Sequence, residues 1–252
     1  MRRVCAGAAL AMGIPLLAGA QTANLPTSVE LGYGRESLSN GSPDWQDTGV
    51  DISHRLGERE YLGASLHDVK RFGLEETSAA ASYLRPLTDR LGTLVEGSAS
   101  HGANFLPRTS LAATLQYQFA PAWLLNGGLR SASYTEDHVT EGLLRLERYV
   151  SDFSWSVAWK PVNSHGRYAQ SFEVRGSYYY GDRSMVGIIA ASGREATSVA
   201  PNEVVLADVQ SIALLGRHHL TDRWALTYAI TRVRQGIFYT RTGGRLGVQY
   251  SF

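Results

Sequence analysis

Arg245-Leu246-Gly247-Val248-Gln249-Tyr250-Ser251-Phe252 closes the chain, and every second residue back from the last is apolar or aromatic: Phe252, Tyr250, Val248 and Leu246. The positions between them, Gln249, Gly247 and Arg245, suit a wet surface. A strand with two such faces and a C-terminal aromatic suits the closing strand of an outer-membrane β-barrel, where lipid-facing and lumen-facing side chains must alternate. Leu246, Val248, Tyr250 and Phe252 are therefore the candidate assembly signal, read by the outer-membrane assembly machinery. A soluble edge strand also alternates, so the reading depends on the rest of the chain.

At the other end, Arg2 and Arg3 precede an apolar run from Val4 to Leu17 that finishes in Ala18, Gly19 and Ala20. This is the pattern of a secretory signal peptide. The run is too short to span a bilayer as a helix, and it contains Pro15. Residues 1–20 are expected to be cleaved, leaving one domain over 21–252 with 252 − 20 = 232 residues. The only cysteine, Cys5, falls inside the signal, so neither a disulfide framework nor a lipoprotein anchor is expected.

Without Arg2 and Arg3 the chain carries 24 − 2 = 22 basic residues against 23 acidic ones. That balance gives no support for a nucleic-acid partner. All basic residues but Lys70 and Lys160 are arginines, the cation suited to fixed multidentate pairing with carboxylates inside a barrel or with phosphates at a lipopolysaccharide rim. No mature segment approaches the roughly 20 apolar residues of a membrane helix, so a membrane-spanning form has to be a barrel.

Period-two patterning runs through the chain. Phe153, Trp155, Val157 and Trp159 alternate with Ser154, Ser156, Ala158 and Lys160, and Leu111 to Phe119 repeats the pattern. Tyr168 to Tyr180 does so with Glu173 and Arg175 on its polar side, and Trp224, Leu226, Tyr228 and Ile230 form a further row. Turn signals cut the chain at short intervals, including Asn40 to Pro43, Leu56 to Glu58, Ala120-Pro121, Gly181-Asp182 and Thr221-Asp222. The runs predict an all-β transmembrane antiparallel barrel of about fourteen strands, with twelve as the alternative. An even count puts both termini in the periplasm. Two adjacent strands are expected over 184–193 and 206–218, joined by a long outer linker from Ala196 to Val205 that contains Pro201 and Asn202. A soluble β-sandwich would share the strand spacing, but it needs no terminal Phe and fewer rows of Trp and Tyr.

Several blocks resemble one family. Glu30-Leu31-Gly32-Tyr33 is followed by Leu38-Ser39-Asn40-Gly41-Ser42-Pro43-Asp44-Trp45, then by Tyr178-Tyr179-Tyr180-Gly181-Asp182 and Ser192-Gly193-Arg194-Glu195. Leu220 to Tyr228, Val233-Arg234-Gln235-Gly236 and Tyr239-Thr240-Arg241-Thr242-Gly243 complete the series. In these blocks, and in their order, the chain is similar to YaiO-like outer-membrane β-barrel proteins over essentially its mature length. The resemblance implies the fold and a Gram-negative outer-membrane location, and no catalytic residues or cofactor. Similar barrels follow periplasmic helical repeats in exopolysaccharide exporters. No repeat of about 34 residues precedes this one, so export would need a separate periplasmic scaffold.

Chemistry has few candidates. His101 lies near Ser98 and Ser100, and His67 beside Asp68, but strand neighbours at odd spacing face opposite ways. The pair His218-His219 is poor metal geometry. No metal, cofactor or catalytic set is expected. The residues that fall on inferred lumen faces are more coherent: Glu30, Asp51, Glu96, Arg130, Arg145, Glu147, Glu173, Arg175, Arg241 and Arg245. They could line an open pore or an export passage, or cross-link a non-conducting structural barrel; a lipid-modifying enzyme is the third reading. On the closing strand, Arg241 and Arg245 could form a cationic ladder unless Glu30 and Glu36 on the first strand neutralise it.

Overall fold

The computed structural model describes residues 26–181 and 183–252. The expected signal peptide 1–20, with Cys5, and Asp182 of one expected turn lie outside the described residues. Fourteen antiparallel strands follow the alternating runs: β1 (Thr27–Leu38), β2 (Trp45–Gly57), β3 (Glu60–Arg71), β4 (Leu74–Pro86), β5 (Leu91–His101), β6 (Thr109–Ala120) and β7 (Trp123–Ser133) make the first half. The second half is β8 (His138–Val150), β9 (Phe153–Ser164), β10 (Arg167–Tyr180), β11 (Ser184–Ala200), β12 (Glu203–His219), β13 (Trp224–Gln235) and β14 (Tyr239–Ser251). Each pairs with its neighbour in sequence, and β1 pairs with β14, closing the barrel. At the seam the Thr27 amide donates to the Phe252 carbonyl (3.1 Å) and the Phe252 amide to the Thr27 carbonyl (2.9 Å). Closure leaves no strand edge unpaired, which a bilayer demands of any sheet that crosses it.

The outer surface is apolar for the same reason that the strands alternate. Leu31, Leu66, Leu111, Leu129, Val157, Val174, Ile230 and Leu246 stand exposed in a band around the barrel. At the end that carries Thr27 and Phe252, this band is bordered by rings in contact: Trp123 meets Trp155 edge-on (5.6 Å), Phe153 lies against Tyr178 (4.8 Å), and Trp224 against Tyr250 (4.7 Å), which stacks on Phe252 (6.0 Å). Such a girdle marks a membrane–water interface. The candidate assembly signal thus lies wholly on the outward face of β14.

Short turns join the strands. Phe72-Gly73 and His165-Gly166 have positive φ at both positions, 54° and 77°, then 52° and 73°, the signature of type I′ hairpins. The expected linker Ala196–Val205 is corrected by the structure: it is the tip of a long hairpin in which β11 and β12 each run for 17 residues. Thr197, Val199, Val204 and Val205 are β-branched and pair readily. Only Pro201 and Asn202 turn the chain, with Asn202 at φ 58°, a conformation that Asn tolerates.

Candidate lumen and mouth

On a curved wall, side chains converge only on the concave side, so contacts that skip a strand identify the inner face. Arg245 on β14 reaches over β1 to Asp47 (2.7 Å) and Asp51 (3.3 Å) on β2. Arg145 on β8 reaches over β9 to Glu173 (3.3 Å) on β10. The pairing register carries this parity round the barrel: Glu30 faces Asp51 and Gln249, Glu96 faces Ala112, Ala112 faces Arg130, and Arg130 faces Glu141. Glu147 pairs with Ser156, which pairs with Arg175. All ten candidate lumen residues fall on this face.

Around the seam the charges form two groups. Arg241 pairs with Glu36, which also accepts from the Thr231 hydroxyl (2.9 Å). Arg245 spans Asp47 and Asp51, and His67 on β3 bridges the same two carboxylates through Nδ1 (2.9 Å) and Nε2 (3.1 Å). Glycine makes the space: a Cβ on Gly32 would stand 2.3 Å from Arg245 Nη2, and one on Gly49 2.5 Å from the His67 ring. The conditional cationic ladder on β14 is therefore neutralised, though only half as anticipated. Glu36 serves Arg241, whereas Glu30 lies over Gly247 and Arg245 takes two aspartates from the strand beyond.

A second set occupies β7 to β10. Arg130 pairs with Glu141 (3.6 Å), and Glu173 is held between Arg145 (3.3 Å) and Lys160. The Tyr149 hydroxyl donates to Glu147 (2.6 Å), and the Ser154 and Tyr179 hydroxyls share a hydrogen bond (3.1 Å). Each of these ion pairs joins strands that are adjacent or next but one, so the charge lies along the wall. Asp47, His67, Glu141 and Lys160 are members that the sequence reading did not select. The parity that marked Asp51, Arg145 and Ser156 would have found them.

At the end remote from Thr27 and Phe252, two segments fold over the opening. The first is the connection 102–108 between β5 and β6. The Glu76 carboxylate on β4 accepts the backbone amides of Asn104, Phe105 (3.2 Å) and Leu106 (2.9 Å), which gathers the loop inward. Phe105 is fully buried against Phe72 (6.3 Å). Next to it, Trp45 contacts Phe72 (5.3 Å) and Tyr239 (5.8 Å) and lies under the guanidiniums of Arg71 (4.6 Å) and Arg241 (4.7 Å). A guanidinium over an indole face is a favourable electrostatic contact.

The second segment is the β11–β12 hairpin. Pairing between β10 and β11 ends at Ser171 with Gly193, where φ is +148° and a Cβ would meet the Gln170 carbonyl and the Ser171 Cα at 2.4 Å. Only glycine fits there. Beyond it the hairpin bends inward, so that Ala196 packs on Val139 and Val162 of the inner wall and the Tyr239 hydroxyl donates to the Ser198 carbonyl (3.1 Å). Its turn meets the first segment, the Asn202 amide donating to the Asn104 carbonyl (2.6 Å).

The histidine pairings raised by the sequence are not brought together. His67 is inward and Asp68 outward, Ser98 bonds to Ser110 (2.7 Å) rather than to His101, and His218 stacks outward on Tyr180 (5.9 Å) while His219 points the other way. Among the described residues no group of His, Cys, Asp and Glu could hold a metal ion.

The YaiO membrane beta barrel domain family matches residues 26–198. No curated protein sequence matches the chain. Among solved structures, the fold is similar to a bacterial polysaccharide outer membrane secretin (TM-score 0.63, 9% identity, 92% of this chain and 100% of that one). It is also similar to the outer membrane protein Omp33 of Acinetobacter baumannii (0.57, 10%, 91% and 100%) and to the KdgM porin in complex with disordered oligogalacturonate (0.50, 16%, 88% and 99%). At these identities the likeness concerns the fold alone.

Proposed function

The chain belongs to the YaiO membrane β-barrel family, and from that premise we propose that it is an outer-membrane passage for hydrophilic solutes of little net charge, saccharides foremost, shut at its outer mouth in this conformation. One observation carries the reading: the ion pairs among the lumen charges run along the wall, between adjacent or next-but-one strands, and none crosses the axis among the described residues. Fourteen strands enclose more than the eight whose side chains fill a barrel. Among the ten candidates, five acids (Glu30, Asp51, Glu96, Glu147, Glu173) are balanced in number by five cations (Arg130, Arg145, Arg175, Arg241, Arg245). Such a wall offers hydrogen bonds without a strong field of one sign.

In this reading both termini are periplasmic, the mouth closed by 102–108 and the β11–β12 hairpin faces outward, lipopolysaccharide surrounds the outer half, and the barrel works without catalysis or cofactor. If it serves polysaccharide export, a separate periplasmic scaffold feeds it. The second reading, a non-conducting structural or surface-interaction barrel, is favoured by the fully buried Phe105 at the mouth.

Planar-bilayer recording separates the two. The variant removes residues 197–205 and joins Ala196 to Leu206 through Asn-Gly, a two-residue hairpin turn. It should carry a steady current where the full chain is mostly closed. Silence from a folded variant would sink the passage and leave the structural barrel.

A further inference from the structure

The outward face above the apolar band is not uniform. From β5 to β10 its polar positions include Ser131, Ser133, His138 and Gln170 and no arginine or lysine within the strands, and on β3 and β4 Lys70 is paired with Glu75 (3.0 Å). Cations concentrate on β11, β13 and β1. Two of them are already matched, Arg35 with Asp44 (2.7 Å) and Arg194 with Asp208 (3.7 Å). Arg232 and Arg234 on β13 are exposed and have no carboxylate partner among the described residues.

We propose that Arg232 and Arg234 form a binding site for the phosphate of an outer-leaflet phosphorylated glycolipid. The inference rests on the orientation taken above, with the termini in the periplasm. Both side chains point outward from one strand, roughly 6.6 Å apart at about 3.3 Å of rise per residue, close enough for two planar guanidiniums to grip one phosphate. The register places Gln210 and Thr240 beside Arg234, and Thr242 beside Arg232, with polar groups to share the remaining oxygens. Ile212 flanks Arg232 on its other side, and below the pair lie Ile230, Leu214 and Leu246, all exposed. An anionic headgroup at the arginines would set its acyl chains along that wall, so the site fits an amphiphile better than a free anion.

The test is native mass spectrometry of the full barrel in detergent, with diphosphorylated lipid A, its dephosphorylated form and phosphatidylglycerol as probes. The wild type should retain diphosphorylated lipid A, and Arg232→Gln with Arg234→Gln should weaken retention about tenfold or more, the scale of losing charge-assisted contacts. Arg148→Gln, at the opposite rim over Trp123 (4.8 Å), should change nothing. Equal retention by the double variant overturns the site, and so does equal retention of the dephosphorylated lipid. Equal retention of phosphatidylglycerol overturns the glycolipid assignment. No current is measured, so a failed passage and a failed lipid site remain distinguishable.

Discussion

Arg245 shows how much one inward side chain organises. It bonds Asp47 and Asp51 from two strands away, and it fits only because Gly32 offers no Cβ. Arg245→Ala should destabilise the barrel by about 1.5–3 kcal/mol, the usual worth of a hydrogen bond to a charged group, since it leaves the two carboxylates with His67 alone. The fall would be read from urea unfolding in vesicles; unchanged stability together with a shifted reversal potential would return Arg245 to a selectivity role. Gly193 bears a different demand, because φ +148° with no room for Cβ excludes other residues. Gly193→Val should cost on the order of 1–3 kcal/mol of backbone strain and free the hairpin, seen as faster protease cleavage between 194 and 209. A variant as resistant as wild type would remove Gly193 as the bend.

Among the elements, β9 displays the barrel's two solvents most plainly. Val157 is 43% exposed on the outer face, while its neighbour Ser156 is buried on the inner one. Val157→Arg should therefore cost about 2–4 kcal/mol, the penalty for arginine near the bilayer midplane. A cost near zero would mean that the faces are reversed. The closing strand carries two tasks at once: its inward arginines tie β14 to β1 and β2, and its outward row ends in Phe252, stacked on Tyr250 and hydrogen-bonded to Thr27. Deleting Phe252 should slow insertion, measured as less of the fast-migrating unheated form on gels, with undiminished insertion counting against the assembly signal. The β11–β12 hairpin departs most from a regular barrel strand pair, since its outer third leaves the wall and packs against it.

For the whole molecule, the question is whether the mouth moves. Asn104 and Asn202 meet through their backbones, and the only cysteine of the sequence is Cys5 in the expected signal. A disulfide between Asn104→Cys and Asn202→Cys would tie the two segments together. Conductance that falls on oxidation and recovers with reductant fits a mobile mouth, and conductance indifferent to redox state places any path elsewhere.

The sequence by itself determined the fold class, a count of about fourteen strands with twelve as the alternative, the two-faced alternation of each strand and the near-balance of charge. These follow from local alternation, which a bilayer outside and water inside impose on every strand independently. Who pairs with whom needed the tertiary structure: Arg245 with Asp47 and Asp51, Glu173 between Arg145 and Lys160, Glu76 under the amides of 104–106. Those contacts depend on strand tilt, register and the curvature of the closed wall, which no local pattern carries. The inward hairpin was hidden for the same reason. Its Pro-Asn turn and small residues read as a solvent linker until the inner wall offered Val139 and Val162 to cover them.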